Sequence, residues 1–135
     1  MPTTRRDFFK IIAGLPLVVV FSRPTPAAPL PHAPHARLLL NSFSIAGFQY
    51  YVGPAQIRQM RPGAELRLTR EPHNPHDSFA VEIHRGRAKL GYVPRSDNKH
   101  LSRLLQQGAR LACRMVEVEP GHGGWHRVGV EVYLN

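Results

Sequence analysis

The chain has 135 residues and a formal net charge of +9, with 42% hydrophobic and 20% charged residues. This length suits one folded domain, and the ordinary apolar content excludes a chain that is disordered throughout. The only cysteine, Cys113, excludes an intramolecular disulfide and a cysteine-based zinc site. The basic excess favours polyanionic ligands such as nucleic acid, anionic lipid or acidic glycans. Alternatively, the basic excess binds no ligand and only keeps the protein soluble and monomeric. We expect a monomer.

The first residues have the pattern of an export signal. Paired arginines at residues 5–6 and Lys10 precede an apolar run over residues 11–21. The run is too short to span a bilayer, so we expect no stable membrane span. The pair, followed by one residue, a phenylalanine, an apolar residue and a lysine, resembles the twin-arginine export motif. That resemblance implies passage through the twin-arginine translocase to the periplasm or another site of export.

The segments before the folded part are assigned by composition. We predict a signal over residues 1–27 and a proline-rich linker over residues 28–40. An uncleaved signal would instead leave the protein tethered to the membrane. Fourteen Lys and Arg against eight Asp and Glu lie beyond the leader, a net charge of +6.

The remaining residues, 41–135, alternate apolar and polar side chains in several short segments, as half-buried strands do. We predict six strands, over residues 41–51, 64–70, 79–84, 88–93, 110–119 and 126–134. One turn of helix is predicted over residues 54–60. Cys113, in the fifth strand, is expected to be a small buried hydrophobe.

A longer helix is predicted over residues 96–107. Ser96 is placed to cap it, and Gly108 to end it. Its apolar stripe comprises Leu101, Leu104 and Leu105. The fold class is therefore mainly β: a small antiparallel barrel of about six strands with one or two short helices.

Two motifs in this domain resemble a known family. Residues 71–81 read Glu-Pro-His-Asn-Pro-His-Asp-Ser-Phe-Ala-Val, and residues 90–95 read Leu-Gly-Tyr-Val-Pro-Arg. Their order and spacing resemble the HIRAN family, over about residues 41–120. The resemblance implies a partly open, OB-like β-barrel that binds nucleic acid. It also implies capture of the 3′ end of single-stranded DNA, with bases stacked on aromatic rings and the free 3′-hydroxyl held by an aspartate.

The family's binding residues transfer to five positions here. Tyr50 and Tyr51 match the aromatic pair, and Asp77 matches the acid that binds the hydroxyl. Asn74 matches the loop asparagine. Arg95 lies where the family has a phosphate-contacting basic residue.

Two positions depart from the pattern of the DNA-end binders. Gln49 replaces an arginine, and His76 replaces a second stacking aromatic residue. His76 remains a candidate binding residue because an imidazole still stacks, although less well. On a continuous strand Tyr50 and Tyr51 would point to opposite faces, so at most one would share a face with Asp77.

Structural roles are the alternatives for the polar candidates. Asp77 would then shape its own loop by accepting backbone N–H groups, and Arg95 would be a solvated residue before a helix. The histidines near Asp77 and around the glycine-rich turn at residues 120–124 match no zinc-site spacing. We therefore expect no metal and no cofactor.

The sequence favours one function and leaves a second open. The favoured function, which follows from the family resemblance, is an exported module that binds single-stranded DNA with a preference for a free 3′ end. We expect it to be non-catalytic, because the sequence shows no nucleophile triad, nucleotide loop or carboxylate pair. The alternative is an exported interaction module that uses the same barrel for a glycan, a peptide or a partner protein.

Overall fold

A computed structural model of the protein describes residues 37–135. The predicted export signal and residues 28–36 of the predicted linker lie outside the described residues. Six antiparallel strands form one sheet in the order β1-β6-β5-β2-β3-β4. They are β1 Leu38–Ser44, β2 Glu65–Arg70, β3 Val81–Arg85, β4 Ala88–Tyr92, β5 Leu111–Glu119 and β6 Arg127–Leu134.

Two helices connect these strands, α1 at Gly53–Gln56 and α2 at Arg95–Gln106. Short 3-10 turns lie at Phe48–Tyr50, Ile57–Gln59 and His122–Gly124. The mainly β fold with six strands and short helices is confirmed. Within residues 37–135, no helix is long and apolar enough to cross a membrane.

The sheet curls at β2, because the two ends of this strand pair with different neighbours. Glu65 and Leu66 pair with β5, and the remaining residues of β2 pair with β3. The curl brings the two edge strands together: Ala46, just after β1, pairs with Tyr92, the last residue of β4. Their N–H···O distances are 2.8 and 2.9 Å. This backbone pair, which we call the seam, joins the two edges of the sheet.

The core lies inside the curled sheet. Alternation along β6 buries Val128, Val130 and Val132 completely, and β3 buries Val81 and Ile83 in the same way. Helix α2 packs against β2 and β3 and inserts the fully buried Leu101 into the core. Cys113 on β5 is buried in this core, as predicted, and burial raises the pKa of its thiol to about 12.

The first strand departs from its prediction. It ends at Ser44, because Gly47 takes a left-handed conformation at φ 70° and starts the turn Phe48–Tyr50. The expectation that Tyr50 and Tyr51 lie on opposite faces of a strand is therefore wrong. Tyr50 is the last residue of that turn and Tyr51 follows it.

Helix α2 agrees with its prediction at one end and differs at the other. Gly108, at φ 84°, follows the helix in the left-handed conformation expected of a helix-ending glycine. Ser96 is not the cap, because the helix already begins at Arg95 and the Ser96 hydroxyl donates to the Asp97 carboxylate at 2.6 Å. Leu104 is half-buried and outside the core cluster, so Leu101 anchors the helix together with the partly buried Leu105.

The seam predicts the effect of a substitution at Gly91. A Cβ atom there would overlap the carbonyl oxygen of Ala46 and lie 2.7 Å from Cγ2 of Ile45. We expect Gly91→Ala to lower the free energy of unfolding by about 1–3 kcal/mol or more. Urea denaturation of the full chain measures this loss. Gly86→Ala is the control, because Gly86 also has positive φ but a Cβ there meets nothing within 4 Å. Equal losses for the two variants would contradict the importance of the seam.

Candidate functional site

A cavity of about 240 Å³ opens beside the seam. Three segments form its walls: the chain on both sides of the seam, the loop between β2 and β3, and the start of α2. Its lining residues are Ala46, Gly47, Asn74, His76, Asp77, Ala80, Tyr92, Val93, Arg95 and Asn98. The structure thus brings together four of the six predicted site residues, which are separated by up to twenty-one positions in the sequence.

Asn74 shapes the loop between β2 and β3. Its side-chain oxygen accepts the backbone N–H groups of His76 at 2.9 Å and Asp77 at 3.2 Å. Its side-chain nitrogen donates to Oε2 of Glu71 at 3.0 Å. Both polar atoms of this side chain therefore bond within the loop, which places His76 and Asp77 at the cavity.

Asp77 both holds the loop and faces the cavity. Oδ1 accepts the backbone N–H of Phe79 at 2.8 Å, and Oδ2 accepts the side-chain amide of Asn98 at 2.7 Å. The structural role considered for Asp77 is thus present in the molecule. A carboxylate offers about four acceptor positions, however, and these two bonds leave acceptor capacity for a ligand. The side chain is 19% exposed, and it lines the cavity.

Asn98 is a site residue that the sequence analysis missed. It lies on α2, lines the cavity, is 4% exposed and donates to Asp77. A signal for it was present: Asn98 precedes Leu101 by three positions and so shares the buried stripe of the helix. A polar residue on such a stripe requires a hydrogen-bond partner.

Arg95 lies at the rim of the cavity. Its guanidinium donates to the carbonyl oxygen of His76 at 3.2 Å, and its Nε lies 3.8 Å from Oδ2 of Asp77. The side chain is nevertheless 75% exposed. The rim therefore presents a positive charge directly beside a carboxylate.

The two tyrosines do not line the cavity but flank its lining residue Gly47, a position that we call the mouth. A Cβ atom at Gly47 would lie 3.6 Å from the Tyr51 ring and 3.7 Å from the Tyr50 ring, so both rings flank that glycine. Tyr51 is 36% exposed and packs edge-on against Tyr92, with ring centroids 5.9 Å apart. Tyr50 is 76% exposed. Of the two, Tyr50 presents the more accessible ring for stacking.

A charged network supports the wall that carries Tyr92. Its hydroxyl donates to Glu71 at 2.8 Å and accepts from Lys89 at 2.6 Å, and Lys89 also donates to Glu82 at 2.8 Å. Burial acts to raise the pKa of Glu82, but hydrogen bonds with Lys89 and His84 outweigh it and hold that pKa below its usual value. Burial and the bond to Glu71 raise the pKa of Tyr92. The network links the cavity wall to Asn74 through Glu71.

The histidines form no metal centre in the part of the chain that the structure describes. Among residues 37–135, no three His, Cys, Asp or Glu side chains are grouped closely enough to hold a metal ion. His126 instead accepts the backbone N–H of Gly121 at 3.0 Å and closes the glycine-rich turn.

Comparison with known proteins identifies related sequences and folds. Residues 40–135 match the family model described as the HIRAN domain. A crystal structure of a protein from Lactobacillus plantarum is 25% identical, with a TM-score of 0.63, over 73% of this chain and 95% of that chain. The HIRAN domain of human HLTF is 17% identical, with a TM-score of 0.56, over 73% of this chain and 78% of that chain. The HLTF likeness shows the fold alone. No curated protein gives a significant sequence match.

The bond between Asn98 and Asp77 predicts a loss of stability on substitution. Asn98→Ala leaves a mostly buried carboxylate without one of its donors, which costs about 1–3 kcal/mol. We expect that loss in the free energy of unfolding, measured by urea denaturation of the full chain. The control is Ser96→Ala, because Ser96 lies in the same first turn of α2 but is exposed. It should change the free energy of unfolding by less than about 0.5 kcal/mol. An Asn98→Ala variant as stable as this control would show that the bond contributes nothing to the fold.

Proposed function

The chain belongs to the HIRAN domain family, and we propose that it is a non-catalytic module that binds single-stranded DNA with a preference for a free 3′ end. Membership of the family supports a DNA-binding role. The observation that carries the finer proposal is the cavity beside the seam, where the Asp77 carboxylate lies 3.8 Å from Nε of the exposed Arg95 and the exposed Tyr50 ring flanks the lining residue Gly47.

Asp77 supplies the chemical basis for recognising an end. A carboxylate accepts a hydrogen bond from a terminal hydroxyl, whereas it repels a phosphate at the same position. The acceptor capacity left beside the bonds from Phe79 and Asn98 supports this role. A strand that continues past the cavity, or one that ends in a phosphate, would place negative charge against Asp77.

The remaining groups at the mouth suit the rest of a terminal nucleotide. The exposed ring of Tyr50 offers a stacking surface that tolerates any base. Arg95 lies at the rim, where it can contact the phosphate on the 5′ side of the last nucleotide. His76, which replaces the family's second stacking ring, lines the cavity and is exposed, so its imidazole is accessible to a base.

Substitution of Asp77 tests end recognition. Asp77→Asn removes the negative charge and keeps an oxygen that can accept the Phe79 N–H, while its new amide NH2 can donate to Asn98 once the Asn98 amide rotates to present its oxygen. We expect the wild-type chain to bind an oligothymidylate with a 3′-hydroxyl more tightly than the same strand with a 3′-phosphate. Asp77→Asn should make the two affinities nearly equal, because the repulsion of the phosphate is gone. Fluorescence anisotropy with full-length protein measures both affinities.

Two controls separate this effect from general changes. Glu65→Gln removes an exposed acid at the far end of β2 and should leave the end preference intact. Tyr50→Ala should weaken binding by about 1–3 kcal/mol, while Tyr50→Phe keeps the ring and most of the affinity. If the wild-type chain binds free and blocked ends alike, the end-capture proposal is wrong, and the alternative of a non-nucleic-acid ligand gains support.

We further propose that the protein is exported by the twin-arginine translocase. The support is the sequence of residues 4–10 and the apolar run that follows. Because the twin-arginine route generally carries folded proteins, a domain that needs no disulfide suits it. The single cysteine, buried in the core, agrees with that requirement.

Export is tested with a reporter fused after residue 40. We expect the reporter to reach the periplasm and the double variant Arg5→Lys with Arg6→Lys to remain inside, although the charge is unchanged. Arg23→Lys, outside the motif, is the control and should be exported normally. Export of the double variant, or export in cells without the translocase, would contradict this proposal.

A further inference from the structure

A row of basic side chains leads away from the cavity along α2. Arg95, Lys99 and Arg103 are spaced four residues apart, so they lie on one face of the helix, and all three are exposed. At 1.5 Å per residue, neighbouring members are about 6 Å apart along the axis, and the row spans about 12 Å. It begins at the arginine that stands at the cavity rim.

A second hollow connects the row to the cavity. It has a volume of about 330 Å³ and shares four lining residues with the first: His76, Asp77, Arg95 and Asn98. Its other two lining residues, Phe79 and Lys99, extend it along the helix. The two hollows are therefore adjacent, and together, from the seam to the second member of the row, we call them the groove.

Phe79 holds the outer cations beside this groove. The Lys99 ammonium lies 5.5 Å and the Arg103 guanidinium carbon 5.7 Å from the centre of its ring. Within residues 37–135, no carboxylate forms an ion pair with either cation. Asp97, the nearest acid on α2, bonds with Asn41 and Ser96. The two positive charges are thus available to a ligand in the groove.

We propose that a DNA strand with its 3′ nucleotide in the cavity continues in the 5′ direction along α2, where Lys99 and Arg103 contact its next phosphates. This inference rests on the proposed function and adds the path and length of the bound strand. A regular row of cations beside a groove suits a chain of phosphates better than a single anion, because successive phosphates recur along an extended strand. A solvated helix face would require neither the groove nor the shared aromatic ring.

The double variant Lys99→Gln with Arg103→Gln tests the path. With full-length protein and 3′-hydroxyl oligothymidylates, we expect a hexanucleotide to bind more tightly than a dinucleotide. The double variant should weaken hexanucleotide binding on the order of tenfold and leave dinucleotide binding unchanged, because the dinucleotide ends before the outer cations. It should also flatten the slope of log K against log salt by about 1.4 for the hexanucleotide. Anisotropy measures the hexanucleotide, and NMR titration measures the dinucleotide.

A charge-matched variant controls for nonspecific attraction. Arg110→Gln with Arg114→Gln removes two exposed positive charges at the start of β5, and neither arginine lines the cavity or the second hollow. It should affect hexanucleotide binding by less than twofold. Equal weakening by the two double variants, or no gain in affinity with strand length, would overturn the proposed path.

The 3′-phosphate hexanucleotide distinguishes this inference from the proposed function. If free and blocked ends bind alike while the α2 variant still weakens both, the end pocket is wrong and the basic row remains a phosphate contact. If the end preference persists in the α2 variant with unchanged affinity for every length, the end pocket stands and the path along α2 is wrong.

Discussion

Two backbone hydrogen bonds between Ala46 and Tyr92 join the edges of the sheet, and the candidate site depends on them. Ala46 leads into the left-handed Gly47 and then to the tyrosines, while Tyr92 leads through Val93 and Pro94 into α2. The seam therefore fixes the distance between the aromatic mouth and the basic rim. It forms because Gly91 has no side chain, which allows the two backbones to approach. The same hydrogen bonds that close the sheet therefore also bring the two sides of the site together.

The polar residues of the cavity serve folding and binding with the same atoms. Asp77 receives a hydrogen bond from its own loop and another from Asn98 on α2, so it ties the loop to the helix. Removing the whole side chain would confound a change of affinity with a change of loop structure. This double role shows that a structural role and a ligand-binding role for Asp77 do not exclude each other, because a carboxylate has acceptor positions for both.

The position of each positive charge in the fold decides whether that charge can bind a ligand. A net charge of +6 beyond the leader attracts any polyanion at long range and distinguishes none of them. Some cations are committed within the fold, as Lys89 is to Glu82 and Tyr92. Others are exposed on α2: Arg95 and Lys99 line the two adjacent hollows, and Arg103 lies one helical turn beyond Lys99. Whether a cation is paired within the fold or available to a ligand depends on its neighbouring side chains. The net charge alone does not show this difference.

The sequence by itself determined the local elements and the family. Alternation gave β2, β3, β4, β5 and β6 nearly to their ends, and Gly108 marked the end of α2, because side-chain period and glycine conformation are local properties. The two family motifs identified four residues that line the cavity, Asn74, His76, Asp77 and Arg95. Tertiary structure decided the rest. It ended β1 at Ser44, placed both tyrosines at the cavity mouth, and paired Asn98 with Asp77 across twenty-one positions. These features arise where distant segments meet at the seam, and no local period in the sequence encodes which partner a polar side chain or a strand edge will find.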